Sequence, residues 1–195
     1  MNYYISDLHF GHANVIRFDN RPWQTIEEMN EALIENWNSA VTKNDDVYIL
    51  GDFHWGKKDD WISILKRLNG RKHLIRGNHD LKDYPSDLKK YFVSVTDYAR
   101  IKDNGRTVAL CHFPMPIFNG IYKGHYHLYG HVHTTEDNPM TDSFIETVCA
   151  YYEQPRRAFN VGCMMPWMEY RPRTLTEIED GFNSYRRFVK HEISS

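Results

Sequence analysis

The sequence has few cysteines and lacks the long apolar runs that cross a membrane. Its three cysteines, Cys111, Cys149 and Cys163, stand far apart and form no C-x-x-C pair. An odd number at such spacing is typical of reduced thiols rather than of a disulfide framework. No apolar run approaches the roughly 18–20 residues that span a bilayer, and no basic segment precedes an apolar stretch at the start. We therefore expect a cytoplasmic protein that does not enter a membrane.

An excess of charge of one sign is also missing, because the formal net charge is only −2 at pH 7. Such a chain exerts no long-range attraction on a polyanion such as DNA. No repeat, low-complexity tract or Gly/Ser linker interrupts the 195 residues. The composition, with 41% hydrophobic and 26% charged residues, is that of an ordinary globular protein. We expect a single domain over residues 1–195.

The first half of the sequence alternates short apolar strands with helical patterns. Thr25 and Glu28 form the T-x-x-E capping box that starts a helix. The predicted elements are a strand over 2–5, a helix over 25–41, a strand over 46–50, a helix over 60–70 and a strand over 72–75. This β-α-β-α-β order predicts helices packed on a largely parallel sheet.

The second half is richer in strands. "FVSVTDYARI" and "RTVALCHF", on either side of Asn104-Gly105, predict a β-hairpin. Further strands are predicted in "YHLYGHVH" and "RAFNVG", with a helix in "SFIETVCAYYE" between them. A last helix starts at Thr174, where a capping box pairs either Thr174 with Glu177 or Thr176 with Glu179. Two sheets facing each other, with helices outside, would accommodate this mixture.

Polar motifs follow the predicted strands at their carboxyl ends. The motifs are "SDLHFGH", "GDFHWG", "RGNHD", "CHFP" and "GHVH". Loops at this edge of an α/β sheet converge on one crevice, where ligand sites are built. Eleven histidines are many for such a chain, and several of them fall in these motifs.

Seven side chains in these loops are candidate metal ligands. They are Asp7, His9, Asp52, Asn78, His112, His131 and His133. Carboxylates with neutral imidazoles suit divalent ions such as Mn, Fe, Co, Ni or Zn, and the absence of cysteine argues against a structural zinc site. Seven ligands are too many for one tetrahedral ion and suit two ions that share a ligand. Asp52, on a strand end, is the predicted bridge.

The ordered motifs resemble a known family. The blocks are "DLH" at 7–9, "GD" at 51–52, "GNHD" at 77–80, "CH" at 111–112 and "GHVH" at 130–133. In this order they resemble the calcineurin-like metallophosphoesterase superfamily, in the form of a small single-domain bacterial or phage-type member. The resemblance implies a four-layer α/β/β/α sandwich of two mixed β-sheets flanked by helices.

The resemblance also implies a phosphatase or phosphodiesterase with a dinuclear metal centre and a metal-bound hydroxide nucleophile. Manganese is the first choice for both divalent ions, with Fe, Ni, Co or Zn as alternatives. The first ion would be held by Asp7, His9, His133 and Asp52, and the second by Asp52, Asn78, His112 and His131. His79 would protonate the leaving oxygen or stabilise the transition state, and Asp80 would hold its other ring nitrogen.

Several residues near these motifs have two readings. His12 either begins a helix, supports a ligand or contacts phosphate, and Arg21 and Arg76 are either phosphate contacts or structural arginines. His54 marks a departure, since many members of the superfamily carry G-D-x-x-D-R-G where this chain has "GDFHWG". Trp55 either lines a pocket or belongs to the core.

The expected substrate is a small phosphoester, such as a nucleotide. A nuclease is the alternative within the same chemistry, although a short chain with a net charge of −2 does not favour nucleic acid. A non-catalytic metal-binding scaffold is a third reading, which the intact motifs disfavour. The substrate, the physiological metal and the oligomeric state are left open by the sequence.

Overall fold

The computed structural model describes residues 1–193. The elements of its first half are β1 (Asn2–Ile5), α1 (Ala13–Phe18), α2 (Ile26–Ala40), β2 (Asp46–Ile49), α3 (Lys58–Arg67), β3 (Arg71–Ile75), α4 (Ser86–Lys89) and β4 (Phe92–Thr96). Those of its second half are β5 (Tyr98–Asp103), β6 (Arg106–Cys111), a 3₁₀ helix (Ile121–Lys123), β7 (Tyr126–Tyr129), α5 (Asp137–Tyr151), β8 (Ala158–Asn160) and α6 (Leu175–Ile193). Over this part of the chain, no helix has the length and apolarity needed to cross a membrane.

The strands form two four-stranded sheets flanked by helices, as the resemblance implied. The first sheet has the order β1-β2-β3-β4, and the second has the order β5-β6-β7-β8. In the first sheet all three pairings are parallel, whereas the second combines an antiparallel β5–β6 pair with two parallel pairs. Both sheets were expected to be mixed, and for the first sheet this prediction is wrong because its strands are all parallel. Each connection in that sheet contains a helix, and such crossovers return the chain in the parallel direction.

The predicted hairpin is partly wrong, because its first arm is two strands in different sheets. Residues 92–96 form β4 and pair in parallel with β3, while residues 98–103 form β5 and pair antiparallel with β6. The chain crosses between the sheets at Asp97, and the Thr96 hydroxyl donates to the carbonyl of Tyr98 at 2.9 Å. No glycine or proline marks this crossing, so the strand pattern runs through it unbroken.

A cluster of buried apolar side chains joins the two sheets. It includes Ile5, Ile49 and Leu74 from the first sheet and Val108, Leu110 and Phe159 from the second. Ala109 lies between Val108 and Leu110 on β6 and points to the opposite face of the sheet. It packs in a second cluster with Ile145 and Val148 of α5. Alternate residues of one strand therefore serve two layers, as expected for a sheet covered on both faces.

Local capping signals are confirmed at two helix starts. Thr25 and Glu28 form the predicted capping box at the start of α2. At α6, Thr174 pairs with Glu177: the backbone N–H of Glu177 donates to Thr174 Oγ1 at 3.3 Å, and that of Thr174 donates to Glu177 Oε2 at 2.8 Å. Both helices therefore begin where their side chains satisfy otherwise unpaired backbone amides.

The carboxyl ends of the two sheets meet at the loop after β1. The backbone N–H of Ser6 donates to Val161 O at 2.8 Å, and that of Cys163 donates to Ser6 O at 2.9 Å. These bonds tie the loop after β1, in the first sheet, to the loop after β8, in the second. Polar residues from both sheets are therefore brought to one edge of the molecule.

Candidate metal centre

Four of the predicted ligands form a compact group, here called the first cluster. It consists of Asp7, His9, Asp52 and His133, each offering one ligand atom within 4.8 Å of the others. His133 Nε2 lies 3.3 Å from Asp7 Oδ1 and 3.4 Å from His9 Nε2. Metal–ligand bonds of about 2.0–2.2 Å place neighbouring ligand atoms roughly 3–3.5 Å apart. The first cluster therefore has donor types and spacings that suit one divalent ion.

The ring of His133 is oriented by a carboxylate that sequence reasoning missed. Its Nδ1 donates to Asp19 Oδ1 at 2.8 Å, which leaves Nε2 directed into the first cluster. Burial alone would lower the pKa of His133, but the carboxylates of Asp19 and Asp7 raise it to about 10. An ion bound at Nε2 must therefore displace a proton. Asp19 lies 114 residues from His133, and no motif connects the two in the sequence.

Arg21 stabilises both Asp19 and the backbone of the loop after β1. Its side chain is buried and pairs with Asp19 Oδ2 at 2.9 Å, while its guanidinium donates to the carbonyls of Asp7 and Leu8, each at 2.8 Å. With these donors engaged inside the protein, Arg21 supports the loop after β1. Of its two predicted readings, the structure favours the structural one over a phosphate contact.

The remaining ligands contact one another and form the second cluster, which reaches Asp52 through His112. It consists of Asp52, Asn78, His112 and His131. Asn78 Oδ1 lies 3.0 Å from His112 Nε2 and 2.9 Å from His131 Nδ1. His112 Nδ1 donates to the carbonyl of Leu50 at 2.7 Å, so Nε2 keeps its lone pair for the centre. The lone pairs of His112 Nε2 and Asn78 Oδ1 then face each other, an arrangement that favours a cation between them.

Asp52 lies between the two clusters. Its Oδ2 is 3.7 Å from His9 Nε2 in the first cluster and 3.6 Å from His112 Nε2 in the second. Burial raises the pKa of Asp52; His112 acts against this, and the nearby Asp7 carboxylate adds to it. A carboxylate buried beside another carboxylate is costly unless a cation is present. Its position is the one that a shared ligand of two ions would occupy.

Five of the seven candidate ligands have left-handed backbone. They are Asp7 (φ 56°), His9 (φ 51°), Asp52 (φ 50°), His131 (φ 72°) and His133 (φ 42°). This conformation is uncommon for residues other than glycine and is strained. Such strain persists where the surrounding structure holds side chains in a functional arrangement, so it supports the metal centre independently of the distances.

Two glycines allow backbone to pass close to the carboxylates. A Cβ at Gly77 would overlap Asp52 Oδ1, and a Cβ at Gly130 would overlap Asp7 Oδ2 and Ser6 Oγ. Both glycines stand in predicted motifs, G-N-H-D and G-H-x-H, and each precedes a candidate ligand. The motifs therefore need glycine for space as well as the ligands for chemistry.

Asp80 does not hold His79 in the way that the resemblance implied. Its carboxylate accepts backbone N–H groups of Asp52 (3.0 Å), Phe53 (2.9 Å) and Gly77 (2.8 Å). It thus fastens the loop after β2 to the loop after β3. Burial raises the pKa of Asp80 to about 6, with its backbone hydrogen bonds acting in the opposite direction. His79 itself is exposed, and its backbone N–H donates to Asp52 Oδ1 at 2.9 Å.

The other sequence-predicted residues lie around the centre at different depths. Arg76 makes a bidentate pair with Asp97, with both N–O distances at 2.7 Å, so its guanidinium is engaged at the surface. His54 is 5% exposed, and burial lowers its pKa to about 4. Neither residue is directed at the two clusters by a hydrogen bond in residues 1–193. His12 precedes the first residue of α1, and its ring stacks on Trp55.

Comparison with known proteins agrees with the geometry. A family model described as calcineurin-like phosphoesterase matches residues 3–147. The uncharacterized protein MJ1445 of Methanocaldococcus jannaschii is 50% identical over 80 residues, which are 40% of this chain and 46% of that protein. The gene 66 protein of Mycobacterium phage D29 is 37% identical over 129 residues, 57% of this chain and 63% of that protein. The chain thus matches less than two thirds of the length of either relative.

A solved structure covers more of the chain. The crystal structure of AQ665 from Aquifex aeolicus, a protein of unknown function, has a TM-score of 0.68 and 28% identity and covers 92% of this chain and 98% of AQ665. It shows that the fold recurs across nearly the whole chain. Because the family model matches most of the sequence, including the loops that carry all seven candidate ligands, the chain belongs to the calcineurin-like phosphoesterase family.

Proposed function

We propose that the protein is a dinuclear metal-dependent phosphoester hydrolase acting on small phosphoesters such as nucleotides. The observation that carries the proposal is the position of Asp52, whose Oδ2 is within 3.7 Å of a ring nitrogen in each cluster. Family membership supports a metal-dependent phosphoesterase in general. A cytoplasmic location and a single domain over 1–195 stay predictions from the sequence.

The donor set fits two divalent ions, with manganese as the first choice. The first cluster offers two carboxylates and two imidazoles, and the second shares Asp52 and adds an amide and two imidazoles. Oxygen and imidazole donors suit Mn, Fe, Co, Ni and Zn. When bound, two such ions lower the pKa of a water molecule and withdraw charge from the phosphoryl oxygens.

The chain's own groups have separate tasks in the hydrolysis. The water oxygen forms a bond to phosphorus while the bond from phosphorus to the ester oxygen breaks. His79 donates a proton to that departing oxygen, which leaves as an alcohol, and the proton lost by the water passes to solvent. Asp80 keeps the loops that carry Asp52 and His79 together through its three backbone hydrogen bonds.

Replacing Asp52 with asparagine tests the function, because the change keeps the shape and removes the charge shared by the clusters. We expect loss of hydrolysis of 4-nitrophenyl phosphate and of bis(4-nitrophenyl) phosphate, with loss of bound metal. The control is Asp87→Asn, since Asp87 pairs with Lys58 at the surface at 2.7 Å. A metal-loaded wild type inactive on both esters, or an Asp52→Asn variant that keeps its activity, would contradict the proposal.

Substrate panels separate the reaction types. Single- and double-stranded DNA and RNA are included beside mono- and diesters across Mn, Ni, Co, Zn and Mg. We expect small esters to be preferred. Preferential cleavage of nucleic acid, with binding that weakens steeply with salt, would favour the nuclease alternative.

A further inference from the structure

The orientation of the His79 ring raises a question that the metal centre does not answer. The partner implied for this ring, Asp80, gives its carboxylate to backbone amides instead. The ring of His79 packs against Trp55, with centroids 5.2 Å apart, and against His9, with centroids 5.8 Å apart. His79 is exposed, so these two rings are placed to restrict the orientation of its imidazole.

Trp55 is itself held by a stacked ring. The His12 imidazole lies on the indole at a centroid distance of 4.5 Å and an interplanar angle of 15°. The indole remains 46% exposed, so hydrophobic burial does not account for its place between the rings of His12 and His79. His12 Nδ1 is buried and has no hydrogen-bond partner within residues 1–193. Of the rings around His12, the Trp55 indole has the nearest centroid, compared with 5.4 Å for His9 and 6.4 Å for Phe18.

The backbone brings these two rings together by a close approach of two loops. The N–H of Trp55 donates to the carbonyl of Phe10 at 2.7 Å. A Cβ at Gly11, whose φ is +78°, would lie only 2.6 Å from the Trp55 carbonyl oxygen. Only glycine fits here, so the loop after β1, carrying His12, lies directly on the loop after β2, carrying Trp55.

We propose that His12 and Trp55 are positioning residues for His79, holding its ring so that it can protonate the leaving oxygen. The proposal rests on the proposed function and deepens it. The rings form a row in which His12 supports Trp55 and Trp55 supports His79. The row replaces the carboxylate that the resemblance implied for orienting the ring. In this role His12 contacts neither a metal ion nor phosphate and acts on His79 through Trp55.

A leaving-group series tests this role. If Trp55 positions an acid, Trp55→Ala should harm esters with poor leaving groups more than esters with good ones, because only the former need a proton. We expect kcat for phenyl phosphate to fall about tenfold or more, part of the effect of a general acid, while kcat for 4-nitrophenyl phosphate changes far less. KM and metal content should stay near wild-type values. His12→Ala should show the same pattern more weakly, and Trp55→Phe should restore much of the activity.

Phe113 offers a matched control. It is also 46% exposed and packs on site histidines, but these are His112 and His131 of the second cluster. Any loss in Phe113→Ala should fall equally on both esters. In a double-mutant cycle, Trp55→Ala should add little to the defect of His79→Ala, because both changes remove the same proton transfer.

A spectroscopic readout separates this inference from the proposed function. The ring-current shift of the His79 Hε1 proton should change in Trp55→Ala and stay as in the wild type in Phe113→Ala. An unchanged His79 resonance, equal losses on both esters, or losses additive with those of His79→Ala would overturn the positioning role. A metal-loaded wild type that hydrolyses no ester would overturn the proposed function itself, whatever the resonance shows.

Discussion

The two clusters share Asp52 but differ in charge and in support. The first adds the carboxylate of Asp7, and its His133 is backed by the buried Asp19–Arg21 pair. The second adds only neutral donors, and its His112 is backed by the carbonyl of Leu50. Asn78 is exposed, whereas Asp7 is fully buried. If the proposed function holds, this difference predicts that the first ion binds more tightly than the second and that the second cluster is the more accessible to substrate.

Among the changes that distinguish the two clusters, the largest effect is expected from removing a ligand that belongs to only one of them. Asp7→Asn should lower the affinity for the first ion by more than about 100-fold. Loss of a residue that only hydrogen-bonds a metal ligand already costs about 10–100-fold in metal affinity. Asn78→Ala should weaken the second ion and leave the first bound. Calorimetric titration with Mn²⁺ measures both. Equal loss of both ions in each variant would remove the distinction between the clusters.

A smaller effect is expected from the carboxylate that supports His133. Asp19→Asn should weaken the first ion by about 10–100-fold while the second ion is little affected. The matched control is Asp46→Asn, because Asp46 also contacts a histidine and an arginine, His73 at 3.0 Å and Arg71, away from the centre. Comparable metal loss in both variants would show a general effect on folding instead.

A separate effect, on stability and not on metal affinity, is the pH dependence of unfolding in the metal-free protein. With the pKa of His133 raised from 6.5 to about 10, the folded protein keeps a proton that the unfolded chain releases. Unfolding free energy should therefore fall as pH rises from 6.5 towards 10, by up to about 1.4 kcal/mol per pH unit. His131 affects stability in the opposite direction, because burial lowers its pKa. The stability that its neutral form contributes is lost as the pH drops below 6.5.

Urea unfolding in the presence of a chelator, between pH 5 and pH 9, separates the two histidines. His133→Gln should flatten the decline of unfolding free energy above pH 7. His131→Gln should lessen the loss at acid pH. If both variants altered the same pH range, the two clusters would not differ in charge as described.

Local features of the fold were predictable from the sequence because they depend on neighbouring residues. The capping box at Thr25 and the strand ends that carry the ligands are of this kind. The switch of residues 92–103 between the two sheets was not, since no breaker stands at Asp97 and tertiary pairing alone decides where β4 ends. Motif order thus indicated where the ligands gather, while sheet membership needed the folded chain.

The same limit applies within the candidate site. Asp7, His9 and Asp52 stand in recognisable motifs, so their convergence could be predicted. The support of His133 by Asp19 joins residues 114 apart, and the stacking of His12 on Trp55 depends on two loops that meet only after folding. Ligand identity followed from residue type and order. The residues that support the ligands could not be predicted in this way, because their contacts depend on distances that sequence patterns do not encode.

The central claim is that two ions share Asp52, and anomalous diffraction from crystals of the Mn²⁺-loaded protein tests it most directly. We predict two peaks about 3.5–4 Å apart, one on each side of Asp52 Oδ2, with the first near Asp7 and the second near Asn78. A single peak, or two peaks too far apart for Asp52 to contact both, would contradict the account.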